Sequence, residues 1–371
     1  MESFIASIYQ YIYLAFVAIV TFVSIRKYKR YPIDSNVNQQ SSTGAELLLV
    51  AIMTLFIGLR PISGFFVDMG SYNAWLKNQQ GSTFFFTWDT DNKIFDNFIT
   101  WWGCNGFDSY LLFFIIALMY FGCAYIGIRR LFGRYALIAY IVFLAGFSTY
   151  SYSTNGIKAG AAASLFIMAL GYMDKKVLCA ALMLVSLGFH HSMIMPIAAF
   201  VLTIFLKNPK WYYYGWFACF LLAVFHVSYF QNLFGGMADE QGQLYLMATE
   251  ETTDAHMGFR PDFVLYSAMP VWIGYQLEMK KKMVLSSTCR TLIHFYLTAN
   301  SIWMLCMYAS FTNRIAYLSW FVYPIVIIYP FLDKNNRDAK RFVKFRKAVL
   351  YHLYFTLFMC VVYYGLLSLG R

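Results

Sequence analysis

Long apolar stretches separated by short polar breaks run along the whole chain. Residues 9–25, 110–128 and 349–369 each form a nearly continuous apolar run, and a helix needs about 20 such residues to cross a bilayer. Charged residues gather in the breaks between these runs. The pattern predicts an all-α polytopic membrane protein in which residues 1–371 form a single transmembrane domain.

Basic residues gather in alternate breaks of this pattern. They cluster at residues 26–30, 129–134, 175–176, 207–210, 280–290 and 334–347. The positive-inside rule assigns these breaks to the cytoplasm and the intervening breaks to the outer face. The alternation predicts about twelve transmembrane helices with both termini outside. The two longest outer loops are then residues 60–109 and 229–262.

Composition excludes a soluble protein. The chain is 60% hydrophobic and 13% charged, whereas soluble domains are about 25% charged. The net charge of +11 follows from the basic cytoplasmic loops and gives no reason to expect nucleic-acid binding. The seven cysteines are scattered without C-x-x-C spacing, so we expect neither a disulfide framework nor a bound metal.

Two hairpins are too short for full spans. Residues 135–173 and 177–206 each have to leave and regain the cytoplasmic side, although two full spans need about 40 residues before any turn. We therefore expect short or re-entrant helices that turn in the outer half of the bilayer. Backbone at that depth has to be buried in protein or line a wet cavity. This places His190 and His191, with the turn at residues 148–158, at the floor of an outward-facing cavity.

Further polar residues stand at the outer ends of other spans. They are Arg60, Asp68, Tyr72, Asn155, Lys158, Arg260, Asp262, Arg314 and Tyr317. Four cations on the side that otherwise has few positive charges indicate an anion site. Arginine suits phosphate oxygens, and a carboxylate or histidine beside it could take a proton from a hydroxyl. The structural alternatives are arginines that snorkel to headgroups and an aspartate that caps a loop.

Residues 83–110 of the first outer loop interleave aromatic residues with acids. Apolar positions 94, 95, 98, 99, 101 and 102 fit one helical face, which predicts an interfacial helix. Two interpretations of the loop stay open. Its Trp and Phe side chains could anchor it in lipid, or they could stack on pyranose rings while Asp89, Asp91 and Asp96 bind sugar hydroxyls.

The order of these motifs resembles a known family. G-L-R-x7-D-x3-Y at residues 58–72, N-G-I-K at 155–158, F-H-x-S at 189–192 and N-R-x2-Y at 313–317 are similar to motifs of the EpsG-like exopolysaccharide polymerases. These are relatives of the Wzy-type O-antigen and capsule polymerases. The resemblance covers about residues 45–330. The family usually has arginine at the position of Lys158 and glutamate at that of Asp96, and lysine lacks arginine's bidentate fork.

The resemblance implies a metal-independent membrane glycosyltransferase of GT-C-like architecture, without a cofactor. It would transfer a growing glycan from undecaprenyl diphosphate to a hydroxyl of the next lipid-linked repeat unit, at the outer face of the bacterial cytoplasmic membrane. Its partners would be the lipid-linked donor and acceptor, membrane lipid, a chain-length regulator and a flippase.

The resemblance also implies roles for the polar residues. His190, with Asp68 second, would be the catalytic base. The diphosphate would be bound by Arg60, Arg314 and Lys158. Arg260 is added to this group only because it is predicted on the same side of the membrane. The residues that would hold sugar or position other groups are Tyr72, Asn155, Tyr317, His191 and Asp96.

Two other classes of function compete with a polymerase. A transporter or flippase of lipid-linked oligosaccharide would carry charges along a path through both halves of the bilayer. Here the spans have almost no charge outside their outer third. An O-antigen ligase or a membrane acyltransferase can also use a histidine near arginines, but ligases usually carry one much larger outer loop.

Overall fold

The computed structural model describes residues 2–30, 43–227, 229–230 and 258–363, and these residues form helices joined by turns and loops, with no strand among them. The prediction of an all-α protein is confirmed. The chain divides into two compact units, Met1–His190 and His191–Arg371, called unit 1 and unit 2 below. The apolar pattern alone did not predict this division, and the two units are described separately.

Unit 1 is built from helices of very unequal length. They are α1 Glu2–Arg30, α2 Thr43–Gly58, α3 Val67–Gln79, α4 Lys93–Cys104, α5 Ser109–Phe132, α6 Ala136–Leu144, α7 Phe147–Thr154, α8 Ile157–Gly171 and α9 Lys176–Phe189. The Asp108 carboxylate accepts the Leu111 amide at the start of α5. Gly133 ends that helix with a φ of 53°, a left-handed conformation that glycine adopts without steric cost.

The short hairpins of unit 1 agree with the prediction of abbreviated helices, with one difference. The expected turn at residues 148–158 is mostly the helix α7, and the chain breaks only at Asn155 and Gly156. Hydroxyls explain the difference. Ser153 and Thr154 both donate to the Tyr150 carbonyl oxygen, at 2.8 and 2.9 Å. Residues typical of turns are thereby accommodated inside a helix.

Helices α5 and α8 pack backbone to backbone. A methyl group placed on Gly127 of α5 would lie 2.6 Å from the carbonyl carbon of Ile167 in α8. One placed on Gly171 would lie 2.8 Å from the Cα of Gly127. Small residues allow this approach, which strengthens van der Waals packing where the hydrophobic effect is weak.

We expect Gly127→Ala to destabilise unit 1 by about 1–3 kcal/mol, because the added methyl group forces α5 and α8 apart. The midpoint of thermal unfolding in detergent should fall accordingly. Gly122→Ala is the matched control, since it lies on the same helix with nothing within 4 Å of the added carbon. Equal midpoints for the two variants would contradict the close packing.

Two groups of charged and polar residues lie at opposite ends of the helices of unit 1. At the basic end, Arg129 and Tyr125 donate hydrogen bonds to the buried Glu46 carboxylate, and Arg130 bonds both Asp174 oxygens at 3.1 and 2.9 Å. The opposite ends of the same helices carry the predicted functional residues Arg60, Lys158 and His190. We call this second end the site end.

Unit 2 contains a second set of helices among its described residues. They are α10 Ile194–Phe205, α11 Pro209–Val224, α12 Pro261–Tyr275, α13 Ser287–Leu305, α14 Thr312–Trp320, α15 Tyr323–Leu332 and α16 Arg341–Tyr363. The fully buried Asn300 donates to Ser267 and Ser319 at 3.1 Å each and accepts from Trp216 at 2.9 Å. This network joins α11, α12, α13 and α14 with each of these bonds satisfied, which a buried amide requires.

Several helices have membrane-spanning character. In the described part of the chain, three stretches are long and apolar enough to cross a bilayer: Ala6–Arg26, Ser109–Leu144 and Thr312–Leu332. Shorter apolar helices are Thr43–Gly58, Ile157–Gly171, Lys176–Phe189 and His191–Phe205. The chain is therefore a membrane protein, and the number of about twelve spans stays a prediction. Most of the predicted outer loop 229–262 lies outside the described residues.

Candidate functional site

Four helices of unit 1 meet around the buried ring of Phe95 on α4. Its centroid lies 5.7 Å from that of Tyr72 on α3 and 6.1 Å from that of Phe189 on α9. The ammonium of Lys158 on α8 lies 5.9 Å from the same ring. We call the polar residues at or beside these contacts the Phe95 cluster: Asp68, Tyr72, Asp96, Lys158 and His190. Five of the predicted site residues thus belong to one region of unit 1.

Lys158 and Asp96 form a loose ion pair in this cluster. The Lys158 Nζ and Asp96 Oδ1 atoms are 3.8 Å apart, and the side chains are 20% and 32% exposed. Asp96 Oδ2 accepts the Asn92 amide at 3.3 Å. At that separation and exposure the pair contributes little to stability. The ammonium therefore remains available to a second anion.

Asp68 caps the N-terminus of α8. Its Oδ2 accepts the backbone N–H of Ile157 at 3.2 Å, and the positive end of the helix stabilises an ionised carboxylate there. Tyr72 follows one turn later on α3. Burial, with the carboxylates of Asp68 and Asp96 nearby, raises the pKa of the Tyr72 hydroxyl, so it remains a hydrogen-bond donor.

His190 lies at the same level as Lys158. Helices α8 and α9 run antiparallel, and the Ser186 hydroxyl of α9 donates to the Ala162 carbonyl oxygen of α8 at 2.6 Å. His190 follows Ser186 by four residues, and Lys158 precedes Ala162 by four residues. Because the two helices are antiparallel, both steps lead towards the same end of the helix pair. The His190 N–H donates to the Ser186 carbonyl oxygen at 3.1 Å and ends α9. The predicted turn is therefore present, and it brings His190 to the start of α8.

Arg60 is buried rather than exposed at a span end. It is 1% exposed, and its guanidinium donates to the carbonyl oxygens of Ile57 at 2.7 Å and Thr154 at 3.2 Å. The rings of Phe66 and Phe113 lie 5.4 and 5.8 Å from it. A cation at the C-terminal ends of α2 and α7 is favourable for both helices. Arg60 therefore ties α2 to the turn that precedes Lys158.

Two polar atoms at this turn have no hydrogen-bond partner among the described residues. They are the Arg60 Nε and the Asn155 Oδ1, both inaccessible to solvent. Unsatisfied buried polar groups cost stability and often mark a position where a ligand or water completes the hydrogen bonds.

The remaining predicted site residues belong to unit 2. Arg260 makes a bidentate contact with Asp262 and stacks on Phe263 at 3.7 Å, so its charge is already compensated. Arg314 is exposed in the first turn of α14, 5.3 Å from the Phe311 ring. Tyr317 is buried and packs against Trp320. His191 begins a short 3-10 turn, His191–Met193.

The segment predicted to be an interfacial helix is helical, as α4, and its place at a membrane interface stays a prediction. The predicted apolar face is divided. Phe95, Ile99 and Trp102 are buried, whereas Ile94 and Trp101 are exposed. Half of the predicted face therefore packs within unit 1.

Sequence reasoning missed two residues of this helix. Phe95 was considered only as part of an apolar face, and Asn97 was not considered. The signal for Asn97 was an amide inside an apolar helical pattern, since buried amides are almost always hydrogen-bonded.

The roles given to these residues stay predictions. The family resemblance, by contrast, is confirmed by comparison with known families. No curated protein and no solved structure matches the chain at a significant level. The model of the EpsG family matches residues 46–368, a range that includes every residue of the Phe95 cluster. Because this match extends over most of its length, the chain belongs to the EpsG family.

Proposed function

We propose that this chain is a polysaccharide polymerase that transfers a growing glycan from undecaprenyl diphosphate to a hydroxyl of the next lipid-linked repeat unit. Membership of the EpsG family indicates an exopolysaccharide polymerase-like membrane protein. The observation that carries the finer proposal is the Phe95 cluster. It gathers a cation, two carboxylates, a phenol and a histidine at one end of unit 1.

The chemistry asks for two kinds of help from the protein. The acceptor hydroxyl oxygen attacks the anomeric carbon, and the bond from that carbon to the diphosphate breaks, so the diphosphate leaves with the electron pair. A cation fixed beside the leaving group stabilises the charge that develops. A base within hydrogen-bond reach accepts the hydroxyl proton. Protein cations can supply this stabilisation without a metal ion.

Lys158 and His190 are the residues of unit 1 that we assign to these roles. Lys158 is partly exposed and only loosely paired with Asp96, which supports contact with the diphosphate. Asp68 is already occupied by the Ile157 amide at the start of α8. His190 therefore takes the proton, while Asp68 fixes the start of α8.

Arg60 and the unit 2 residues have separate parts in the proposal. Arg60 already binds two carbonyl oxygens, so we assign it to positioning the turn before Lys158. Arg314 is exposed in unit 2, and its contact with the diphosphate stays a prediction, whereas Arg260 is neutralised by Asp262. The Tyr72 hydroxyl would donate a hydrogen bond to a sugar hydroxyl, and the Asp96 carboxylate would accept one from another sugar hydroxyl.

The proposal includes the location and the partners of the protein. About twelve spans in a GT-C-like arrangement would lie in the bacterial cytoplasmic membrane, with the site end and both termini outside. The lipid-linked donor and acceptor would reach the site from the outer leaflet. A flippase would supply them, and a chain-length regulator would act on the product.

Lys158→Ala tests this function in cells from which the gene has been deleted. We expect long polymer to fall by about 100-fold, the loss typical of removing one group that stabilises developing charge, while single repeat units still reach the surface. Lys158→Arg should retain polymer, since arginine keeps the charge and adds a fork. Polymer length is measured by gel electrophoresis at equal protein levels.

The matched control is Lys77→Ala, an exposed lysine on α3 of the same unit. It should leave polymer length unchanged. Normal chain lengths in Lys158→Ala would remove Lys158 from the reaction. Loss of surface repeat units together with polymer would instead indicate a translocating function.

A further inference from the structure

We propose that the loop at residues 83–92 of unit 1 is a binding subsite for sugar rings of the glycan, formed by Phe85, Phe86 and Trp88 and held in shape by Asn97. This inference rests on the proposed function, because it assigns the ligand's carbohydrate part to a surface beside the Phe95 cluster. We call the three aromatic residues the aromatic platform.

The side chains of the aromatic platform are largely exposed. Phe85, Phe86 and Trp88 are 77%, 55% and 73% exposed, and the rings of Phe86 and Trp88 meet edge to face with centroids 5.1 Å apart. Three adjacent aromatic side chains of this exposure form an apolar surface of the kind that marks an interaction site. Their electron-rich faces attract the C–H groups of a pyranose ring, which carry partial positive charge.

Asn97 fixes the backbone of this loop. Its buried amide group accepts the Thr87 N–H at 2.9 Å and donates to the carbonyl oxygens of Thr87 at 2.8 Å and Lys93 at 2.7 Å. The Asp89 N–H donates to the Thr87 hydroxyl at 3.0 Å. The loop therefore has a defined shape although its aromatic side chains project outward.

A fixed loop favours a ligand of defined geometry over a lipid surface. Insertion into headgroups tolerates many loop conformations, whereas a loop backbone that is fixed in advance lowers the entropic cost of binding a sugar. Exposed carboxylates at Asp89 and Asp91 stand beside Trp88. They offer acceptors for sugar hydroxyls, while the platform contacts the apolar ring face.

The platform and the Phe95 cluster are joined through one carboxylate. Asp96 Oδ2 accepts the Asn92 amide at the base of the loop, and Oδ1 lies 3.8 Å from the Lys158 ammonium. Asp96 and Asn97 are neighbours on α4. A ligand with sugar rings at one end and a diphosphate at the other fits this sequence of contacts, since the platform would bind the rings and Lys158 the phosphate.

The test measures carbohydrate binding without phosphate. The full-length protein in nanodiscs is titrated with oligosaccharides released by partial hydrolysis of the host strain's own exopolysaccharide, and saturation-transfer NMR gives the dissociation constant. We expect Trp88→Ala to weaken binding about tenfold, as truncation of an aromatic anchor does, and Trp88→Phe to retain most of it. Asn97→Ala should also weaken binding, although it leaves all three aromatic side chains in place.

Two substitutions serve as matched controls. Trp211→Ala removes a comparably exposed tryptophan from unit 2, and Asn105→Ala removes an amide that bonds the Trp101 carbonyl oxygen at the other end of α4. Neither should change the dissociation constant. Unchanged binding in both Trp88→Ala and Asn97→Ala would overturn the proposal.

A lipid-anchoring role is tested separately by tryptophan fluorescence. The emission lost in Trp88→Phe reports the surroundings of Trp88. We expect iodide in the buffer to quench it and lipids brominated on their acyl chains to leave it unchanged. Quenching by the brominated lipids would overturn the proposal in favour of a membrane anchor.

Failure of the platform and failure of the proposed function are distinguishable. The oligosaccharides carry no diphosphate, so Lys158→Ala should bind them as the wild type does. If Lys158→Ala cells make normal polymer while Trp88→Ala loses oligosaccharide binding, the proposed role of Lys158 in the reaction is wrong and the sugar subsite stands.

Discussion

Replacing His190 with glutamine is expected to lower the turnover number by about 10²–10⁴-fold, because glutamine cannot accept the proton that the acceptor hydroxyl loses. The KM for the lipid-linked unit should change little, since the lost interaction acts in the transition state. The assay supplies the purified protein in nanodiscs with one synthetic lipid-linked repeat unit. A polymerase needs no second acceptor, so product length and initial rate come from the same reaction.

The same assay is applied to a control histidine, His226, and to Asp68, the other candidate for the base. His226 is an exposed histidine of unit 2 with a φ of 53°, which asparagine tolerates, so His226→Asn should leave the rate unchanged. Asp68→Asn keeps an oxygen for the Ile157 amide and should reduce turnover less than His190→Gln. A rate close to that of the wild type in His190→Gln, with a large loss in Asp68→Asn, would transfer the role of base to Asp68.

Arg60→Ala is expected to destabilise the protein by about 2–5 kcal/mol, because it removes the side-chain donors to two buried carbonyl oxygens and opens a cavity. Arg60→Lys should lie between the alanine variant and the wild type, since one ammonium cannot reproduce the two-pronged contact with Ile57 and Thr154. The midpoint of thermal unfolding in detergent measures both variants. Arg134→Ala removes an exposed arginine of the same unit and serves as the control.

Polymer length then distinguishes two roles for Arg60, namely positioning the turn before Lys158 and contacting the diphosphate directly. If it only positions the turn before Lys158, stability and polymer length should fall together through the series. If it contacts the diphosphate directly, Arg60→Lys should lose polymer while it keeps the unfolding midpoint of the wild type. That second outcome would return Arg60 to the binding role that the sequence suggested.

The short helices and the common end of the polar residues could be predicted from the sequence. The length of an apolar run reports how much bilayer a segment can cross, and the basic residues report its side. Those two quantities placed Lys158 and His190 at the same end, and the hydrogen bond between Ser186 and Ala162 agrees with that placement. No knowledge of packing was needed.

The direction of individual side chains could not be predicted in the same way. An arginine after a span end has the same sequence signal whether it points to headgroups or into the protein. For Arg60 the answer depends on the Thr154 carbonyl oxygen, 94 residues further along the chain.

The loop residues show a third kind of limit. Periodicity predicted the helix α4, but it could not tell that Asp96 faces Lys158 while Asn97 turns back to Thr87. Adjacent polar residues on a helix point about 100° apart. Which of them meets a partner is decided by the neighbouring helices, which the local pattern does not contain.

The backbone-to-backbone contact between α5 and α8 also limits which sequence changes this protein can accept during evolution. At Gly127 and Gly171 any side chain would collide with neighbouring backbone, so a lineage cannot vary these positions without moving a helix. The rings of the aromatic platform project away from the frame and carry no such restriction. A relative that joins different sugars could exchange the loop and keep the α5–α8 frame, so that recognition and architecture evolve at separate rates.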